Sequence, residues 1–140
     1  MTVQFTVLGE PVAKGRPRMT RTGHVYTPSK TRLYEGHIQD AYKAKIVATP
    51  PTGQPVRVLI DAYFPVPKSV SKKRRLAMEG APHTKKCDAD NLAKSVLDGL
   101  NKVAFQDDAQ VHYLRVKKMY TLEEPRVEVT LEWEDDNGTS

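Results

Sequence analysis

The sequence predicts an α+β fold in which a mixed β-sheet packs against two main helices. Stretches of alternating apolar and polar residues, the period of half-buried strands, lie near the amino terminus, in the middle and near the carboxyl terminus. Two stretches with helical spacing lie between them, an order that favours a mixed sheet covered by helices. The 140 residues, 39% of them hydrophobic, suit one domain with one core. We therefore expect a single domain over residues 1–134, followed by an acidic flexible tail over 135–140.

The amino-terminal half predicts a strand, a basic loop and a helix. Residues 3–7 are apolar at every second position until Gly9-Glu10-Pro11 stops the strand. Residues 14–23 are basic and too rich in glycine and proline for a regular element, so they predict a loop. A helix then starts with Thr27 or Ser29 as its N-cap and ends before the next pair of prolines. Its positions at near-helical spacing are Leu33, His37, Ile38, Ala41 and Ile46.

The carboxyl-terminal half predicts three further strands and a second helix. Residues 56–64 alternate as a strand with one strongly apolar face, and prolines end it. Residues 68–75, the densest positive cluster, follow as a mobile loop or a short helix. The other predicted elements are a helix from about Asp90 to Val103 and two closing strands, 111–120 and 126–133, joined as a hairpin around Glu123-Glu124-Pro125.

The charge distribution indicates a polyanionic partner without proving one. The net charge is +5, yet the last fifth of the chain is acidic. The rest is strongly basic, as expected of a protein that neutralises phosphates. Charge alone does not decide, because solvated lysines are common on proteins with no such partner. The acidic residues of the last fifth are Glu123, Glu124, Glu128, Glu132, Glu134, Asp135 and Asp136.

Cysteine content and hydropathy favour the cytoplasm. The single Cys87 cannot form an intramolecular disulfide. No apolar run approaches the roughly 18 residues of a membrane span, so we expect no membrane partner. Residues 1–8 lack the basic start and long apolar stretch of a signal peptide.

The second predicted helix has one apolar and one polar face. The polar face places Asn91, Lys94 and Asp98 in one stripe, with Asp88 and Asp90 at its amino end. The apolar face explains the fold, so the polar stripe is the part that requires a chemical explanation. The apolar residues are Leu92, Ala93, Val96, Leu97, Leu100, Val103 and Ala104.

The aspartates fit either a metal site or an ordinary helix start. Asp90 alone suits an N-cap, because an aspartate there accepts free N–H groups and faces the positive end of the helix dipole. Asp88 is harder to explain, since two carboxylates on one side of an extended segment repel each other without a cation. Asp107-Asp108 can approach this end only if the chain turns back beside the helix. Converging carboxylates in a basic protein suit a hard cation such as Mg²⁺.

Lys94 adds a cation to the same face. It could stabilise charge that develops on a phosphate, but a solvated helix lysine explains it as well. Spacing alone therefore leaves the catalytic and the structural interpretations open.

Longer strings of residues resemble a known family. The central string is Asp88-Ala89-Asp90-Asn91-Leu92-Ala93-Lys94, then Leu97-Asp98-Gly99-Leu100-Asn101, then Asp107-Asp108-Ala109-Gln110-Val111. Together with Gly9-Glu10-Pro11, Lys14-Gly15-Arg16-Pro17-Arg18, Tyr26-Thr27-Pro28 and Tyr34-Glu35, it resembles the RusA-type Holliday junction resolvases, in particular their phage and prophage branch. The resemblance spans most of the chain and ends before the acidic tail. Cys87 departs from it, because relatives commonly carry proline or a basic residue there. Since thiolates suit softer metals than Mg²⁺, we interpret Cys87 as a tolerated substitution.

The resemblance implies a function, a cofactor and site residues. It implies a homodimer that cuts four-way junction DNA by paired symmetric nicks, with Mg²⁺ or Mn²⁺, and leaves 5′-phosphate and 3′-hydroxyl ends. A two-fold dimer presents two equivalent sites to a two-fold junction. It also implies that Asp88, Asp90 and Asp108 bind the metal and act in catalysis with Lys94. The supporting residues are then Asn91, Asp98 and Asp107.

Basic residues predict the contacts with DNA from their charge rather than from a motif. We expect selectivity to come from junction shape more than from base contacts. The predicted DNA-binding residues are Lys14, Arg16, Arg18, Arg21, Lys72, Lys73, Arg74, Arg75, Lys85 and Lys86.

Two other functions stay open at this point. A non-catalytic nucleic-acid-binding protein would use the aspartates as caps and ion-pair partners, and it would bind without cutting. A phosphatase or nucleotide hydrolase would also use clustered aspartates with Mg²⁺, although the basic loops favour a long polyanion. The four histidines are scattered without metal or triad spacing, so we do not expect a histidine base.

Overall fold

The computed structural model describes residues 1–26, 28–45 and 48–134, and it confirms the α+β class with a mixed sheet. The strands are β1 (Thr2–Leu8), β2 (Arg18–Met19), β3 (Val25–Tyr26), β4 (Val56–Pro65), β5 (Val111–Thr121) and β6 (Arg126–Glu132). The helices are α1 (Ser29–Lys45), α2 (Lys72–Met78) and α3 (Ala89–Leu100), and a 3₁₀ turn covers Asp108–Gln110. The predicted N-cap Thr27, the predicted apolar Ile46 and the predicted tail 135–140 lie outside the described residues.

The main sheet has the order β1-β6-β4-β5. β4 runs parallel to β5, and β6 runs antiparallel to both β1 and β4. The predicted hairpin between β5 and β6 is wrong, because β4 lies between these two strands. The segment 122–125 that joins them crosses two strand spacings, about 9.6 Å, which a link of this length can span. A link this short can therefore join two adjacent strands of a sheet, or two strands that have one other strand between them.

One face of the sheet packs against α1 and α3. Alternate residues of β1, β4 and β6 point into this core, as the period of two predicts. Helix α1 buries Thr31, Tyr34, Ile38 and Tyr42. The predicted buried face of α1 was wrong at Leu33, which is 63% exposed, and at His37, which is also exposed. The buried stripe contains a threonine and two tyrosines, residues that a search for aliphatic side chains passes over. The core residues of the three strands are Val3, Phe5, Val7, Val56, Val58, Ile60, Ala62, Phe64, Val127, Val129 and Leu131.

Helix α3 crosses α1 at a glycine. A Cβ at Gly99 would lie 3.1 Å from the side chain of Ile38 and 3.3 Å from the carbonyl oxygen of Glu35. The absence of a side chain therefore allows the two helices to approach closely. Ser95 is a polar residue of α3 that is buried, and its hydroxyl donates to the carbonyl oxygen of Asn91 at 3.4 Å. A serine in a helix can satisfy its hydroxyl in this way without solvent.

The basic segments contain short regular elements. The loop of residues 14–23, predicted as irregular, includes β2, which pairs with β3 as a small antiparallel hairpin. The cluster of residues 68–75 was predicted as a mobile loop or a short helix, and its residues 72–75 lie in the short helix α2, whose start is capped by Ser71 accepting from the backbone N–H of Arg74 at 3.3 Å. Within the described ranges, no helix is long and apolar enough to cross a membrane.

Candidate active site

The amino end of α3 presents two exposed aspartates. Asp88 occupies the N-cap position, two residues before the predicted cap Asp90, which lies in the first turn. Among the residues that the structure describes, the Asp88 side chain makes no capping hydrogen bond. Cys87, just before it, has φ 86°, a left-handed conformation that is unfavourable for a residue with a side chain. The chain is therefore turned sharply here, and capping does not explain the Asp88 carboxylate.

Lys14 connects the amino-terminal loop to the polar face of α3. Its backbone N–H donates to the carbonyl oxygen of Asn91 at 2.8 Å. Its ammonium lies 2.8 Å from Glu35 Oε2 on α1 and 3.0 Å from Asp98 Oδ2 on α3. Lys14 was predicted to bind DNA phosphates, and the structure places its charge on two carboxylates instead. Its role toward DNA stays a prediction.

The ion pairs of Lys14 outweigh its partial burial. Burial by itself lowers the pKa of this ammonium, but the hydrogen bonds to Glu35 and Asp98, together with their charges, raise the pKa above its ordinary value. Lys14 is therefore held in its charged form. It neutralises Asp98, the residue one helical turn beyond Lys94.

Lys94 itself is exposed on α3. Within the described part of the chain, it forms no salt bridge with a carboxylate, since Asp98 pairs with Lys14. Its ammonium is therefore available to an anionic substrate, as the catalytic interpretation requires.

The turn after α3 holds the other two aspartates. Asp107 Oδ1 accepts from the backbone N–H of Ala109 at 2.9 Å, and Gln110 Oε1 accepts from the backbone N–H of Asp107 at 3.2 Å, so the pair forms a capping box. The bond from Ala109, followed by one from Asp108, lowers the pKa of Asp107. Desolvation, followed by the proximity of Asp107 and Asp98, raises the pKa of Asp108. Negative charge is therefore concentrated around Asp108.

The predicted ligands are not brought together in one chain. The backbone N–H of Asp108 donates to Asn101 Oδ1 at 3.1 Å, at the carboxyl end of α3. Asn101 lies about 16 Å along the helix axis from Asp90, at about 1.5 Å per residue. Across the described residues, no group of three or more His, Cys, Asp or Glu side chains is arranged to hold a metal ion. Asp88, Asp90 and Asp108 of a single chain therefore do not fit one Mg²⁺.

The predicted DNA-binding residues lie on several surfaces. Arg16, Arg18, Lys85 and Lys86 line one cleft, while Arg21 lies in the turn between β2 and β3. The remaining residues, Lys72, Lys73, Arg74 and Arg75, lie on α2. Arg75 is fixed by donating to the carbonyl oxygen of Pro67 at 3.0 Å.

Comparison with known proteins identifies the family. The profile described as Endodeoxyribonuclease RusA matches residues 9–132, a range that includes α3, its two exposed aspartates and the turn after it. This chain belongs to the RusA endodeoxyribonuclease family. The predicted family is confirmed, and the RusA profile covers β4, β5 and β6 of the sheet as well as the candidate site.

Named relatives of this RusA family member extend the comparison. A Bacillus subtilis (strain 168) protein named "Uncharacterized protein YqaN" is 41% identical over 139 residues, which cover 92% of this chain and 94% of that protein. The crossover junction endodeoxyribonucleases RusA of Enterobacteria phage 82 and Escherichia coli (strain K12) are each 29% identical over 119 residues. These matches cover 84% of this chain and 78% of each relative.

The structure adds residues that the sequence did not single out. Glu35 holds Lys14, and Lys30 and His83 line the same cleft as Arg16. In the sequence, Glu35 stood out only as part of a string that resembles the family. Residues 14 and 35 are far apart along the chain, so no local pattern indicated that they form an ion pair. Lys30 and His83 carried no motif, because they meet only through the packing of α1 against the segment before α3.

Proposed function

We propose that this protein is a divalent-cation-dependent endodeoxyribonuclease that resolves four-way DNA junctions by paired symmetric nicks in recombination and repair. Membership of the RusA family over residues 9–132 carries this proposal. The exposed Asp88, Asp90 and Lys94 at one end of α3 supply groups suited to phosphodiester hydrolysis. The products carry 5′-phosphate and 3′-hydroxyl ends. We place the activity in the cytoplasm, because that compartment contains the DNA substrate and suits a free cysteine.

Each residue of the candidate site has a separate task in this proposal. Asp88 and Asp90 supply carboxylate oxygens at the amino end of α3, the ligand type that Mg²⁺ or Mn²⁺ takes. A bound cation would supply positive charge at the phosphate and a more acidic water. Lys94 contributes a further positive charge where the phosphate gains negative charge. Asp98 holds Lys14, and Lys14 in turn fixes the amino-terminal loop to α3.

The proposed homodimer provides what one chain lacks. Asp108 lies at the opposite end of α3 from Asp90, so a second protomer is needed to bring an Asp108 to that end. Strand β5 is an edge of the described sheet, and its exposed Tyr113 (49%) and Leu114 (43%) lie on that strand. An edge strand presents unpaired backbone groups to a second chain, and these two adjacent apolar side chains add surface for such pairing. We therefore propose a two-fold contact through β5.

The decisive experiment is cleavage of a labelled synthetic four-way junction. The junction is incubated with Mg²⁺, with Mn²⁺ and with EDTA, beside a linear duplex of the same sequence. Metal-dependent symmetric nicks in the junction alone are expected. Tight binding without cutting in either metal would favour the non-catalytic binding protein instead.

The variant Asp90→Asn separates the same two functions. A nuclease loses cutting but keeps or improves junction binding, because one repulsive charge near the phosphates is removed. Glu134→Gln, at an exposed acidic position beyond β6, is the matched control and should cut normally. Equal cutting by Asp90→Asn and the wild type would reject Asp90 as a catalytic residue.

A further inference from the structure

A cleft opens beside the amino end of α3. Its volume is about 790 Å³. Its lining comes from residues between 10 and 18, from the start of α1, from the end of β4, from residues between 83 and 87, and from Tyr120. Cys87, one of these residues, directly precedes Asp88. The cleft therefore borders the segment that carries the candidate active site.

The cleft is lined by positive charge. Its cationic side chains are Arg16, Arg18, Lys30, Lys85 and Lys86. Among the described lining residues, Glu10 supplies the one carboxylate. This excess of positive charge favours a polyanion as the partner, over an apolar partner or one that binds acidic residues. Because the cations come from three separate segments that line the cleft, phosphates spaced along a chain can contact several of them.

Three aromatic side chains line the cleft. The rings of Phe64 and His83 are stacked, with centroids 3.7 Å apart and an angle of 9° between their planes. Tyr120 packs against His83 with its centroid at 4.9 Å and an angle of 61°. Phe64 and Tyr120 are buried and support the ring of His83, which is the half-buried member of the group. Because base-aromatic stacking is the usual way in which proteins hold unpaired bases without reading their sequence, the supported His83 ring suits a base rather than a lone phosphate.

His83 also has an unmet polar atom. Its Nδ1 is buried and has no hydrogen-bond partner in the described part of the chain. Desolvation, followed by the charges of Lys118 and Lys85, lowers the pKa of His83, so the ring is neutral at physiological pH. A neutral ring of this kind can stack on a base without carrying a charge into the contact.

The volume limits the size of the occupant. Pockets of about 300 to 1,000 Å³ hold ligands of small-molecule size, which corresponds to one or two nucleotides. A duplex keeps its bases paired inside, where the ring of His83 cannot reach them.

We propose that this cleft binds an unpaired DNA strand, with its phosphates on the basic lining residues and one base against the ring of His83, which Phe64 and Tyr120 support. The inference rests on the proposed function for the source of the strand, because a distorted four-way junction offers unpaired nucleotides at its centre. Cys87 and Asp88 then lie where the strand leaves the cleft. The cleft therefore positions the junction strand that is to be cut.

The test is binding of a fluorescein-labelled eight-nucleotide oligo-dT to the full chain in EDTA, followed by fluorescence anisotropy. His83→Ala should weaken binding about fivefold or more, as the loss of one stacking contact does. Lys30→Ala should weaken binding. It should also reduce the slope of log K against log salt concentration by the amount that corresponds to about one phosphate contact. The matched controls, His112→Ala on β5 and Lys43→Ala at the far end of α1, should bind as the wild type. Equal binding by all four variants would overturn the proposal.

A second measurement needs no substitution. An oligonucleotide that carries one 4-thiothymidine is cross-linked to the wild-type protein by light, and the modified peptide is identified. We expect the cross-link in residues 81–87 or at Tyr120, and cross-links that lie only elsewhere would refute the cleft as the site. If poly-glutamate displaces the strand and this displacement also depends on His83, the cleft is a general polyanion site. That result would also refute the proposal.

Junction cleavage, measured in parallel, separates this inference from the proposed function. If the wild type cuts junctions while His83→Ala binds the oligonucleotide normally, the cleft assignment fails and the nuclease stands. If the wild type binds the strand through His83 but cuts no junction, the nuclease fails and the cleft assignment stands.

Discussion

Mixing two inactive variants tests whether the predicted metal ligands act across a dimer. Asp90→Asn and Asp108→Asn each remove one predicted ligand, and the two positions belong to opposite ends of α3. Those ends are about 16 Å apart along the helix, whereas an oxygen ligand lies about 2.1 Å from Mg²⁺. An aspartate side chain does not bridge such a gap. Both residues can therefore bind one ion only if they come from different protomers.

The expected magnitude follows from two-fold symmetry. Exchange of subunits between equal amounts of the two variants makes about half of the dimers mixed. If the site is shared, each mixed dimer has one site with both substitutions and one site with neither. About a quarter of all sites are then intact, so nicking should return to about a quarter of the wild-type rate. The products should be single nicks rather than paired ones.

The assay is nicking of an end-labelled four-way junction in Mg²⁺, after subunit exchange has been verified with an affinity tag on one variant. Each variant alone is the control and should be inactive. Mixed dimers that stay as inactive as the single variants would show that each site lies within one chain. The separation of Asp90 and Asp108 would then have to close by movement of the turn after α3.

Three further substitutions test the fold around the site. Lys14→Met should lower the free energy of unfolding by about 1 to 2 kcal/mol at neutral pH. Because the pKa of folded Lys14 is raised above 10.5, its ion pairs stabilise the fold below that pH, and the difference from the wild type should vanish as the pH rises through the folded pKa. Gly99→Ala should cost about 1 to 3 kcal/mol in urea unfolding, because the new methyl group would separate α1 from α3. Leu114→Glu should convert the proposed dimer to a monomer in light scattering, since a charge would face the apolar edge of β5.

Each of these substitutions has a matched control. Gly36→Ala on α1 adds a methyl group into open space, so it should be neutral or stabilising by up to about 1 kcal/mol. Leu33→Glu, at a position 63% exposed on α1, should leave the mass in solution unchanged. Equal effects of Gly99→Ala and Gly36→Ala would show that the helix crossing is not tightly packed, and a Leu114→Glu dimer would exclude β5 as the contact. A Lys14→Met difference that persists above pH 11 would mean that the lysine stabilises through its alkyl chain instead.

The sequence by itself determined the local elements and the family. Alternation with a period of two located β1, β4 and β6 within a few residues, because each of these strands has one face in the core. The sequence also located β5, although only the last two residues of that strand are buried. The two-faced pattern of α3 placed Asp90, Lys94 and Asp98 on its exposed side for the same reason. The ordered string from Asp88 to Val111 was specific enough to indicate the RusA family.

Only the tertiary structure decided which distant segments meet. Periodicity shows which face of an element is buried, but not what covers it, so the insertion of β4 between β5 and β6 was invisible in the sequence. The ion pairs of Lys14 and the placement of Asp108 at the far end of α3 likewise depend on how separate elements pack. The cleft around His83 is built from five separate parts of the chain. Such contacts are set by the packing free energy of the whole domain, which no short window of residues contains.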